Sequence, residues 1–187
     1  LDNKQVGLDS AQQPQAIIDQ LVTNLPQVNW VEADALLRDL RMIKTDAEVK
    51  LLETSCRNAD RGYVSAINHM EGNVTDPLNY DLWEFTERVR VHIGEFGGSG
   101  TGNVCTLQGS DMQVFYKPHR DVFQQGNLVR SEVTCHHRGY YTDNARTLVI
   151  GSPTPEQLCA FKANIRLKKI AIAEIKPGTS CSTVFNA

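Results

Sequence analysis

Between Leu128 and Ile150 the sequence reads LVRSEVTCHHRGYYTDNARTLVI, and this stretch restricts the fold more than any other. An apolar-leaning run, Leu128 to Cys135, leads into a His-His-Arg-Gly break, and β-branched and aromatic residues follow it. That pattern predicts a β-hairpin, with Gly139 able to take the left-handed conformation that short loops need. A loop centred between His137 and Arg138 places Glu132 directly opposite Asp143 on one face. Directly opposed like charges destabilise a sheet. The pairing makes sense if something positive sits between the two carboxylates.

Elsewhere the periodicity is helical. Thr45 followed by Glu48 forms a capping box, and Val49, Leu52, Cys56, Ala59, Tyr63 and Ile67 fall on one helical stripe, with Gly72 closing the element. A second helix is expected from about Tyr80 to Ile93, with Leu82, Phe85, Val89 and Ile93 inward; the glycines of GEFGGSGTG end it. Strands are expected near 102–108 and 112–116. SPTPEQ opens a last helix, with Thr154 as N-cap, Pro155 at the first helical position and a stripe of Leu158, Phe161, Ile165 and Ile172; KPGTS breaks it. Upstream, residues 1 to about 40 offer a short helix around Ile17 to Leu25, a strand-like VNWV and another short helix. Helices beside an antiparallel sheet make an α+β class. With few strands and a fresh start signal near the end, the chain reads as a piece of a larger domain.

Composition excludes several functions. A net charge of -3 and the absence of a Lys/Arg-dense run leave no footprint for nucleic acid. No apolar run approaches the roughly 20 residues that span a bilayer, and LDNKQVGLDS is no signal peptide. Five scattered cysteines without a CxxC pair argue against a disulfide framework or zinc knuckle, and for a cytoplasmic location. The glycines of GGSGTG lack the Lys-Ser/Thr of a phosphate loop and read as a helix–strand connection. His69 and His92 are read as structural, and Cys135 and Cys105 as buried strand residues. His136 and His137, being adjacent, would point to opposite faces of a strand.

Four segments together carry a family resemblance. LRMIKTDAEVKLLETSCRNAD resembles the entry to the first catalytic-domain helix of the pita-bread superfamily, which includes methionine aminopeptidases, Xaa-Pro aminopeptidases, prolidases and creatinase. KPHRDVFQQGNLV is similar to that family's proline-containing loop and Gly-Asp-Leu-Val strand; GYYTDNARTLVIGSPTPEQ and IKPG resemble its later signature and helix exit. The resemblance implies that residues 38–187 are the N-terminal portion of a pita-bread catalytic domain. Residues 1–37 would then be the end of a creatinase/prolidase-type N-terminal domain and its linker.

The resemblance also supplies a positive charge for the hairpin. In the metal-dependent members two aspartates hold a pair of divalent ions; Asp143 matches the second, and Glu132, one methylene longer, stands in the place of the first. Hard oxygen ligands suit Mn, Co, Zn or Fe, and such a pair of ions generates a hydroxide nucleophile and polarises the scissile carbonyl. Phe115 falls where these peptidases place a histidine, and His119, four residues on, is the candidate substitute; no catalytic residue is otherwise assigned. The remaining family ligands, a histidine and two glutamates, come after IKPG in family order. Three functions follow as expectations for the complete protein. One is a metal-dependent Xaa-Pro aminopeptidase or dipeptidase, a homodimer acting on short peptides. The second is a creatinase-like hydrolase of a small C–N substrate that needs no metal. The third is a degenerate member that binds peptides or partners.

Overall fold

The computed structural model describes residues 5–73, 80–107 and 120–187. These fall into two compact units, Leu1–Leu51 and Leu52–Ala187.

In the first unit, β1 (Gln5–Leu8) pairs in parallel with β2 (Asn29–Glu32), and α1 (Gln15–Asn24) connects them. The helix and β2 match the sequence reading, whereas β1 is too short and too polar in its flanks to have been visible. Next comes α2 (Asp34–Met42), whose first residue ties the unit together. The Asp34 carboxylate accepts from the Ser10 hydroxyl at 2.8 Å and from the Ala11 amide. Those hydrogen bonds, that of Ser10 foremost, hold its carboxyl below the usual carboxylate range. The long helix α3 (Asp46–Asn73) starts with the expected box: Thr45 N–H donates to Glu48 Oε2 at 2.7 Å, and Glu48 N–H donates back to Thr45 Oγ1.

The second unit is a three-stranded antiparallel sheet with helices against one face. Its order is β3 (Ser99–Leu107), β4 (Leu128–His137), β5 (Tyr140–Val149). Helix α4 (Leu82–Glu95) buries Leu82, Phe85, Val89 and Ile93 completely or nearly so, matching the predicted stripe. Each such side chain removed from water contributes about 1.5–3 kcal/mol. Asp81 caps the helix by accepting from Glu84 N–H at 2.7 Å. Phe123, from the segment leading into β4, completes the core beneath Phe85.

Helix α3 follows the predicted stripe at Ala59, Tyr63 and Ile67, which packs against the core, and departs from it toward the helix start. Its buried side is Ser55, Ala59, Tyr63, Ala66 and Met70, while Val49 is exposed and Leu52 and Cys56 are only half-buried. Small side chains let the helix come close. A Cβ on Gly62 would lie 2.7 Å from the backbone nitrogen of Ile93 on α4. Polar contacts fix α3 to the sheet: Ser55 donates to the Cys135 carbonyl at 3.0 Å, and the Tyr63 and Ser131 hydroxyls are hydrogen-bonded to each other.

Helix α5 (Pro155–Glu174) has the predicted capping box, Thr154 with Gln157, but none of its residues is buried. The expected core stripe of Leu158, Phe161, Ile165 and Ile172 is 39–55% exposed. A short α6 (Cys181–Phe185) begins after the KPGTS break, capped by Ser180. The expected strand at 112–116, with Phe115, and His119 lie outside the described residues. No helix among the described residues is long and apolar enough to cross a membrane.

Candidate functional site

The hairpin exists, with its register two residues from the one predicted. His137 pairs with Tyr140, leaving Arg138 and Gly139 as a two-residue loop. Both loop residues have positive φ, 49° and 92°, as a type I′ turn requires. The expected centre between His137 and Arg138 is therefore one residue early. Glu132 pairs with Ala145, and Asp143 with Thr134. The predicted direct opposition of Glu132 and Asp143 is corrected to a diagonal relation, in which neighbours in an antiparallel pair lie about 7–8 Å apart with their Cβ atoms somewhat closer.

A slip of two preserves the face. Along β4 the odd positions Val129, Ser131, Val133 and Cys135 are buried against the helices, so the even positions point the other way. The open face thus carries Arg130, Glu132, Thr134 and His136 from β4, with Tyr141, Asp143, Ala145 and Thr147 opposite them on β5. Glu132 and Asp143 share it. Asp143 does not pair with Arg146, its neighbour in sequence: that guanidinium lies on the helix side, bonded to Asp60 of α3.

Two features of this face were not anticipated. Arg130 Nη2 lies 3.3 Å from Glu132 Oε2, both side chains being about one-third exposed. The signal was present in the sequence, since residues two apart on a strand lie side by side. The other is the His136 ring stacked on Tyr141, with centroids 4.5 Å apart. His136 Nε2 accepts from the Gly139 N–H at 2.9 Å, which turns that nitrogen toward the loop. His137 faces the opposite side, its Nδ1 2.9 Å from the Gly97 carbonyl.

The two carboxylates fit a hard divalent cation in donor type. They supply only part of a coordination sphere, and among the described residues no group of three or more His, Cys, Asp or Glu side chains converges to hold a metal. The helix side of the sheet offers a different space, a cavity of about 380 Å³ lined by Ile67, Met70, Phe85, Phe123 and Leu148 among others. Its walls are mainly apolar, with Glu71 and Gln125 also lining it, and neither Glu132 nor Asp143 reaches it.

Comparison with known proteins gives the family and the fold. Residues 50–187 match the family described as Metallopeptidase family M24. A Xaa-Pro dipeptidase of Pyrococcus horikoshii is 25% identical over 181 residues, covering 94% of this chain and 48% of the relative. A Xaa-Pro dipeptidase of Pyrococcus furiosus is 26% identical over 151 residues, 78% of this chain and 40% of the relative. Among solved structures, an X-Pro aminopeptidase from Thermotoga maritima superposes with a TM-score of 0.80 at 12% identity, over 92% of this chain and 48% of that one. A prolidase from Pyrococcus horikoshii gives 0.78 at 23% identity, over 95% and 50%. The chain thus spans about half the length of the relatives it matches, and its fold is the corresponding part of the pita-bread fold.

Proposed function

The chain belongs to metallopeptidase family M24, and on that premise we propose that it contributes part of the active site of a Xaa-Pro dipeptidase or aminopeptidase acting on short peptides. The observation that carries the proposal is the shared open face of Glu132 and Asp143, clear of the helices that cover the other side. Two carboxylates of adjacent strands, one diagonal step apart, can grip hard cations between them. Divalent ions bound there would polarise the scissile carbonyl and activate water. Asp143 and Glu132 would fix the position of the ions, and the longer Glu132 arm would set one of them farther from its strand than an aspartate does. Residues 1–37 belong, in the same proposal, to the end of an N-terminal domain and its linker.

The test is calorimetric titration of the full-length protein with Mn(II) or Co(II), beside Asp143→Ala. Loss of a direct ligand should weaken binding by more than about a hundredfold, beyond the cost of losing an outer-shell partner. Wild-type protein should hydrolyse Xaa-Pro dipeptides and leave creatine untouched, and Phe115→His should raise peptidase turnover. Equal metal binding by wild type and variant, or none in either, would overturn the metal site.

One observation favours the binding-module reading instead. Arg130 gives Glu132 a positive partner without any metal. Full-length protein that binds no metal and turns over neither substrate would bear that reading out.

A further inference from the structure

We propose that Arg130 is a built-in competitor for metal at Glu132, so that an ion engages that carboxylate only by displacing the guanidinium and binds there more weakly than it would without it. The inference rests on the metal reading of these two residues and deepens it.

The geometry is asymmetric. Arg130 and Glu132 are two apart on β4, hence on one face, with Nη2 3.3 Å from Oε2. In the pairing register Arg130 lies opposite Thr147, Glu132 opposite Ala145 and Asp143 opposite Thr134. The guanidinium therefore flanks Glu132 on the side away from Asp143. Among the described residues no cation is paired with Asp143, so an ion arriving there displaces nothing. An ion arriving at Glu132 must take an oxygen already held by Arg130, and then sits beside a cation of the same sign. The side chains are about one-third exposed, so an incoming ion can reach the carboxylate from solvent. The exchange is a substitution of one cation for another and needs no covalent step.

The experiment is Mn(II) titration of the full-length protein by calorimetry, for wild type, Arg130→Gln, Glu132→Gln and the double variant. Thermal melts confirm that each is folded. Arg130→Gln should tighten binding at Glu132 by roughly three- to tenfold, the scale of a partly exposed ion pair plus the relieved repulsion. Arg130→Lys, which keeps the charge, should stay near wild type. In the Glu132→Gln background, removing Arg130 should change nothing, because its effect runs through that carboxylate. Raising the salt from 50 to 300 mM, about a 2.5-fold cut in screening length, should narrow the gap between wild type and Arg130→Gln.

The proposal falls if Arg130→Gln leaves metal affinity within about twofold of wild type, or if the same change appears without Glu132. Should Asp143→Ala abolish binding while Arg130→Gln has no effect, the metal site stands and only this inference fails. Metal binding seen in Arg130→Gln but not in wild type would support it in its strongest form. No binding in either would overturn both.

Discussion

A buried thiol and an exposed one differ in chemistry as much as in position. Cys135 is fully buried on the helix side of β4, and burial pushes its thiol above the ordinary value, only partly offset by the Ser55 hydrogen bond. Cys159 and Cys181 are exposed. A thiol-specific reagent at pH 8 should therefore modify Cys159 and Cys181 at once and Cys135 only on unfolding, as peptide mapping would read. The sign of the pH dependence follows. An unfolded thiol ionises near about 8.5, so the stability of a neutral buried Cys135 is complete below that pH and is lost as pH rises toward its folded value. Replacing it with Ala should flatten that alkaline loss. A second buried residue gives a cleaner number. Tyr63→Phe removes the hydroxyl bonded to Ser131, while Ser131 keeps the Arg146 carbonyl as acceptor. The expected cost is about 1 kcal/mol in chemical denaturation; a neutral substitution would mean that the hydroxyl pair adds nothing. Neither residue's partner was visible in the sequence, because Ser55 and Ser131 are too small and polar to register as core. The large apolar side chains Leu82, Phe85, Val89 and Ile93 were legible for the opposite reason.

For the elements, type was easier to read than mutual approach. Capping residues marked α3 and α5 to within a residue, since Thr45 and Thr154 have local jobs that need no tertiary partner. Along α3, Ala59, Tyr63 and Ile67 were read on the correct side, whereas the start of the stripe was misread because close packing places the small Ser55 against the sheet and leaves Leu52 and Cys56 half-buried. Gly62 makes the case: a Cβ there would meet Ile93 Cγ1 at 2.5 Å and two backbone atoms within 2.9 Å. Gly62→Ala should force α3 and α4 apart and cost at least about 2 kcal/mol; a loss under half of that would show that the helices yield easily. The hairpin teaches a related lesson. That Glu132 and Asp143 share a face was legible, because side-chain direction has period two and survives a slip of two. Their direct pairing was not, because it depended on Arg138 entering the left-handed region, which non-glycine residues rarely do. Arg138→Asn suits that conformation better and should stabilise the fold by about 0.5–1 kcal/mol without moving the register.

Across the whole molecule, polar and apolar surfaces are unevenly covered. α4 is held along its length by the core, whereas α5 is anchored chiefly at its start, where the Gln157 amide donates to the Gly126 carbonyl at 3.0 Å. The rest of α5 leaves Leu158, Phe161, Ile165 and Ile172 between two- and three-fifths exposed, with Leu167 and Ile175 more so. A helix with so few buried contacts opens at little cost in free energy. Its amides should exchange with deuterium well before those of α4, and equal protection would show that α5 is covered in solution. Apolar side chains gathered on one exposed helix also favour association. The 187-residue chain studied alone should elute from a sizing column at an apparent mass that rises with concentration, and should bind a hydrophobic dye. Changing Phe161→Glu together with Ile165→Lys removes apolar area from the middle of the stripe while keeping good helix formers. That double variant should elute at a constant apparent mass and lose most of the dye signal. Because the substituted side chains lie outside the core, its thermal unfolding should stay close to that of the parent chain. Concentration-dependent elution that persists unchanged in the variant would place the association elsewhere, with the exposed edges of the sheet as the next surface to test.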